Sequence, residues 1–321
     1  MATDLEKGKT AVKYRLVTRS DFDGLVCATL LKHLDMIDEV VFVHPKDMQD
    51  GKVKITENDI ITNLPYVAGA HMVFDHHHSE TVRVGPQPNH IIDASAPSAA
   101  RVIYNEFGGA DFFTDVPLEL MEAVDKADAA QYTVDEILDP TGWALLNFLM
   151  DSRTGLGRFR DFTISNFELM MKLIHACHQM DSVEDILAMK DVRERSDLFH
   201  AHTEPFIDQL RRVSTVHGDV VVVDLRNEDI IYAGNRFMVY ALYPETRVSI
   251  HALWGRDRQN TVFAAGKSIV DRTSPVDIGS IMLTYGGGGH RAAGTCQVDN
   301  DDAERVLPEL IEALARPRVP A

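Results

Sequence analysis

The sequence is poor in cysteine, with Cys27, Cys177 and Cys296 the only three among 321 residues. They are too few and too scattered for a disulfide framework or a paired CxxC zinc site, and they suit a reducing compartment. No run approaches the ~20 consecutive apolar residues of a membrane-spanning helix. The opening stretch MATDLEKGKTAVKYRLV is charged and lacks the apolar centre of a secretory leader. A soluble, cytoplasmic protein is therefore expected. Positive charge is also scarce: 32 Lys and Arg stand against 49 Asp and Glu, a net charge of −17. Such a surface repels long polyanions and anionic membranes, which argues against coating of long DNA or binding to a membrane. It remains compatible with a small phosphate ester held in a locally basic or metal-lined cleft. There is no internal repeat, and the only low-complexity element is the glycine tract at 286–289.

Apolar residues make up 45% and charged residues 25% of the chain, as in ordinary globular proteins. At about 150 residues per domain the length suggests two domains. Short apolar runs alternate with amphipathic stretches, the pattern of an α/β architecture with a mainly parallel sheet. Strands are expected at 14–18, 39–44, 60–64 and 72–74, with a helix at 25–36. Each strand ends in a polar cluster: SDFDG, HPKD, TNLP and DHHHSE. Open α/β sheets bind ligands beyond the carboxyl ends of their strands, so these clusters are expected to meet at one edge.

Residues 97–213 read as helical, with Pro97, Pro117 and Pro140 punctuating the starts. Amphipathic segments at 162–179 and 182–213 lead out of the first domain, their charged KDVRERSD stretch reading as a solvated face or connector. A second α/β unit follows, with strands at 219–225, 247–254, 261–265 and 295–298. Helices at 276–283 and 302–315 complete it, the first running into the glycine tract.

Three clusters carry chemistry. In SDFDG, Asp21 and Asp23 sit in a strand-to-helix turn, where alternate residues face the same way. Two close carboxylates repel unless a cation lies between them; the plainer reading is that one of them caps the helix. In Phe74-Asp75-His76-His77-His78, imidazoles follow an apolar strand, and carboxylate plus imidazole suits Mn²⁺ or a related divalent ion. Asp75 is placed to hold the second nitrogen of such an imidazole; the plainer reading is a surface histidine patch. In TYGGGGHRAAGT, consecutive glycines admit close backbone approach and can form an anion-binding nest. His290 and Arg291 add donors there, and the alternative is a flexible loop. Asp125 and Asp128, three apart on one helix face, are both candidates for the same cavity.

Together these motifs resemble the DHH phosphoesterase family, over nearly the whole chain and in family order: SDFDG, then Asp75-His76-His77, then Gly287-Gly288-Gly289-His290. Members include oligoribonucleases, cyclic-dinucleotide and short-RNA phosphodiesterases, RecJ-type exonucleases and proteins labelled exopolyphosphatase. The resemblance implies an N-terminal parallel-sheet DHH domain (1–190), a helical connector (191–215) and a smaller α/β DHH-associated domain (216–321), with a cleft between the domains. It implies Asp21, Asp23 and His76 as metal ligands, with Asp128 or Asp125 as a further carboxylate, and His77 near the reacting phosphate. Arg19, Gly287, Gly288, Gly289, His290 and Arg291 become substrate contacts. The chemistry implied is hydrolysis assisted by one or two Mn²⁺ or Mg²⁺ ions. The substrate implied is a short oligonucleotide, cyclic dinucleotide or polyphosphate, and homodimerisation is left open.

Two positions depart from the family pattern. Arg19 stands where many relatives have a histidine ligand, and Asn63 where a metal-bridging aspartate is usual. An arginine cannot bind a cation and an amide bridges two poorly. Asp59 or His44 could compensate, or Arg19 could serve as a fixed cation that binds phosphate. These departures also raise the alternative of a weakened relative that binds a nucleotide or phosphate as a sensor or scaffold.

Overall fold

The structure is a computed structural model that describes residues 12–315. The opening eleven residues and the end of the expected C-terminal domain lie outside the described residues. Chain contacts divide it into two compact units. One comprises residues up to Gln131, Thr141–Ser152 and Phe159–Ser196; the other comprises Tyr132–Pro140, Arg153–Arg158 and residues from Asp197 on.

The first unit is built on strands β1 (Tyr14–Thr18), β2 (Ile37–Phe42), β3 (Asp59–Thr62), β4 (Met72–Asp75) and β5 (His90–Ile92). All pair in parallel, in the order β2-β1-β3-β4-β5. Their short apolar runs are covered on both faces, as parallel strands require; β3 is buried throughout. The short β5 is not apparent from hydropathy. The strand order reverses between β1 and β3, and at such a switch point the two following loops part and leave a crevice. Arg19–Asp23 follow β1, Asn63 follows β3 and His76–His77 follow β4, so three of the polar clusters emerge along one sheet edge.

Helix Phe22–His33 begins three residues before its expected start because Asp21 caps it, Oδ1 accepting from Gly24 N at 3.0 Å. It is buried from Phe22 to Leu31, packed among helices Ala99–Glu106, Leu118–Asp128 and Asn166–His178. Gly24 is required here: a Cβ would lie 2.0 Å from the Arg19 carbonyl oxygen.

The second unit holds β6 (Ser214–His217), β7 (Val220–Asp224), β8 (Val248–Trp254), β9 (Thr261–Lys267), β10 (Gly288–His290) and β11 (Ala293–Val298). Their order is β10-β11-β9-β8-β7-β6, and only β7 and β8 pair in parallel. This second sheet of the smaller α/β unit is therefore mainly antiparallel. The links β6–β7, β8–β9 and β10–β11 are too short for a crossover and turn the chain straight back. Helices Ile278–Leu283 and Ala303–Leu314 cover the sheet around Ile250, Phe263, Met282 and Leu310. The amphipathic segment expected at 182–213 is two helices, Val183–Ala188 and Lys190–Val213, broken where Met189 turns extended. No described helix is long and apolar enough to cross a membrane.

Candidate metal centre

Asp23 lies in the first turn of its helix and is 2% exposed. Its Oδ2 accepts from Ala99 N at 3.0 Å and its Oδ1 from Ala100 N at 2.8 Å. These amides open helix Ala99–Glu106, which Ser98 caps. The helix N-terminus therefore receives a carboxylate from the first turn of another helix. Burial, with Asp128 and Asp21 close by, pushes Asp23 up to about 7.

His76 follows β4 and places Nδ1 3.3 Å from the Ala96 carbonyl oxygen. A donor at Nδ1 satisfies that carbonyl and leaves Nε2 as the nitrogen that could ligate a metal. Nε2 stands 3.1 Å from Asp128 Oδ2, yet is buried without a well-directed hydrogen bond. Burial pulls the imidazolium down, but the carboxylates of Asp128, Asp23 and Asp75 outweigh it and hold His76 at about 9. Asp128 is the last residue of helix Leu118–Asp128. Ligand atoms of Asp23, His76 and Asp128 all lie within 4.8 Å of one another. One imidazole and two carboxylates, crowded enough to retain protons that a cation would displace, form a donor set that fits a divalent cation.

Asp21 is held differently. Besides capping the helix, it accepts from Asn63 Nδ2 at 3.2 Å and pairs through Oδ2 with Arg19 Nε at 3.1 Å. Both positions that depart from the family pattern thus converge on it. Asn63 takes a left-handed backbone, φ 53°, and its buried Oδ1 accepts no hydrogen bond. The suggested substitutes lie elsewhere. Asp59 starts β3, at the opposite end of a parallel strand, and binds Arg15 at 2.6 Å. His44 caps helix Pro45–Gln49, accepting from Lys46 N.

His77 is oriented by fully buried Asp75, whose Oδ1 accepts from His77 Nδ1 at 2.7 Å and from the His76 and His77 amides at 2.8 and 3.2 Å. The choice left open between two carboxylates is decided by their partners. Asp125 is spent on Ser98 Oγ and the Arg101 guanidinium, and Asp128 joins the cluster. The Ala96 carbonyl and the Ala99 and Ala100 amides carry no sequence signal, because backbone groups look alike at every position.

The glycine tract is not simply a flexible loop; its last two glycines, with His290, form the edge strand β10. A Cβ at Gly287 would lie 2.0 Å from the Thr295 carbonyl oxygen, and one at Gly289 (φ 152°) 2.3 Å from that of Ala293. Close approach to β11 therefore demands those two glycines, whereas Gly286 and Gly288 border open space. His290 and Arg291 are exposed beside it. Lys267, at the end of β9, escaped sequence reasoning: burial, and Arg291 nearby, pull its ammonium below its usual value. A lone lysine closing the apolar strand TVFAAGK was the available signal.

No protein-family profile matches the chain, and no curated protein matches it. Among solved structures it is 58% identical to the pGpG-specific phosphodiesterase PggH from Vibrio cholerae, with a TM-score of 0.83 over 94% of this chain and 99% of that one. More distantly it is similar to RecJ from Thermus thermophilus in complex with Mg²⁺, at 14% identity and TM-score 0.49, covering 97% of this chain and 51% of that one. It is likewise similar to CDC45 from Entamoeba histolytica, at 9% identity and TM-score 0.48, covering 95% and 96%.

Proposed function

The chain belongs to the DHH phosphoesterase family and is a hydrolase, and from that premise we propose that it cleaves a linear guanine dinucleotide of the pGpG class with the help of a divalent cation. The observation that carries this reading is the convergence of Asp23, His76 and Asp128, from three separate elements, on one point. Likeness to a pGpG-specific enzyme along nearly its whole length supports the substrate class. So does the net charge of −17, which disfavours long polyanions but leaves a compact dinucleotide admissible.

Asp23, His76 and Asp128 hold the ion, Mn²⁺ or Mg²⁺. When bound, it acidifies water and draws charge from the phosphoryl oxygens. His77, with Nδ1 fixed on Asp75, keeps one tautomer and offers Nε2 to the reacting phosphodiester. In the protonated form it donates to the departing ribose oxygen as the phosphorus–oxygen bond breaks. Water supplies the replacing oxygen, so one pGpG yields two GMP. In the second unit, Arg291 and Lys267, with His290 beside Gly288, offer positive charge of the kind that binds phosphate. The three cysteines, all buried and unpaired, fit a reducing cytoplasmic location.

The test is purified protein with Mn²⁺ and a panel of pGpG, cyclic di-GMP, oligo-RNA and polyphosphate, read by chromatography of products. GMP release from pGpG, removed by chelation and by His76→Ala, is expected. Faster turnover of polyphosphate or of the cyclic compound would overturn the substrate assignment.

A further inference from the structure

Asp21 has its carboxylate engaged by the Gly24 amide, by Asn63 Nδ2 and by the Arg19 guanidinium. A cation bound there would have to displace a guanidinium. It would find Arg19, which cannot ligate, and Asn63, whose oxygen is neutral. Charge gives the same answer. The carboxylates of Asp21, Asp23 and Asp128, less the Arg19 guanidinium, leave two negative charges, which one divalent ion balances. Asp75, whose Oδ1 faces His77, is counted outside this group. A second divalent ion would leave the site two charges positive before substrate arrives, in a region where Asp23 is fully desolvated.

Resting on the metal-dependent reading above, we propose that this protein is a single-ion phosphoesterase in which Arg19, clamped on Asp21, supplies the second positive charge. Arg19 Nε stands 3.1 Å from Asp21 Oδ2. A guanidinium carries five N–H donors in a planar fork, so its terminal nitrogens keep their bidentate match to phosphate oxygens. Asn63 belongs to the same device. Its amide donates to Asp21, where an aspartate would repel that carboxylate without a second metal between them.

The experiment counts metal. Wild-type protein equilibrated with Mn²⁺ and gel-filtered should retain one Mn²⁺ per chain by emission spectroscopy, with the electron paramagnetic resonance of an isolated ion. Arg19→His combined with Asn63→Asp should retain two, with the spectrum of a coupled pair. Two ions per wild-type chain, or a coupled wild-type spectrum, overturns the proposal while leaving the phosphoesterase reading intact. No retained Mn²⁺ overturns the metal centre itself. Should the double variant not fold, Arg19→Gln provides the second arm. It should still retain one Mn²⁺ but weaken competitive inhibition by inorganic phosphate about tenfold. Unchanged inhibition overturns the role given to Arg19.

Discussion

The Asp23 carboxylate accepts the Ala100 amide at 2.8 Å, joining the first turn of the helix after β1 to the start of a helix 77 residues further along. The same carboxylate serves the fold, by satisfying a buried helix end, and the site, by facing His76 and Asp128. The two roles pull against each other without a cation, and that conflict is measurable.

Asp23 is raised from 3.8 to about 7 and His76 from 6.5 to about 9. Both bind protons more tightly folded than unfolded, so metal-free protein loses stability as pH rises through these windows, from about 4 to about 9. Thermal unfolding in chelator should show a melting point falling between pH 6 and 9. Mn²⁺, which binds the deprotonated ligands, should reverse the fall, and its affinity should rise with pH. A melting point insensitive to Mn²⁺ at pH 9 would refute this.

Asp125 and Asp128 should separate stability from chemistry. Asp128→Ala is expected to lower pGpG turnover by roughly two orders of magnitude or more with little change in melting point. Asp125→Ala strands Ser98 and Arg101 and should cost about 1–3 kcal/mol of stability. Its Mn²⁺ content should be unchanged. Paired denaturation and metal analysis of both variants decides.

Asp75→Asn should keep the metal and lose rate. It disturbs an oxygen that holds His77 Nδ1 and two amides, and loss of such a supporting carboxylate lowers activity about 10–100-fold. The loss should appear in kcat rather than KM. An unchanged kcat would remove His77 from the chemistry.

Lys267→Met tests the pairing with Arg291. If both cations bind substrate phosphate, KM for pGpG should rise about tenfold or more while kcat and Mn²⁺ content hold. An unaltered KM assigns Lys267 to the fold.

Gly24→Ala should destabilise the protein by about 1–3 kcal/mol, since its Cβ would meet the Arg19 carbonyl oxygen at 2.0 Å. Urea denaturation reads this directly.

The sequence by itself determined the α/β class, the first four strands of the parallel sheet and the residue types of the site, because apolar period and strand-end polarity are local properties. SDFDG and DHH could be read as chemistry because a carboxylate or imidazole is recognisable wherever it falls. Only the tertiary structure decided among look-alikes. Asp128 enters the cluster and Asp125 supports a helix; Asp21 is tied to Arg19 and Asn63 while Asp23 faces His76. The last two residues of the glycine tract proved to be strand, and backbone groups of Ala96, Ala99 and Ala100 proved to support the site. The reason is physical: which groups share a charge, a hydrogen bond or a proton depends on distances across the fold, set by the sheet order and helix packing that bring distant residues together.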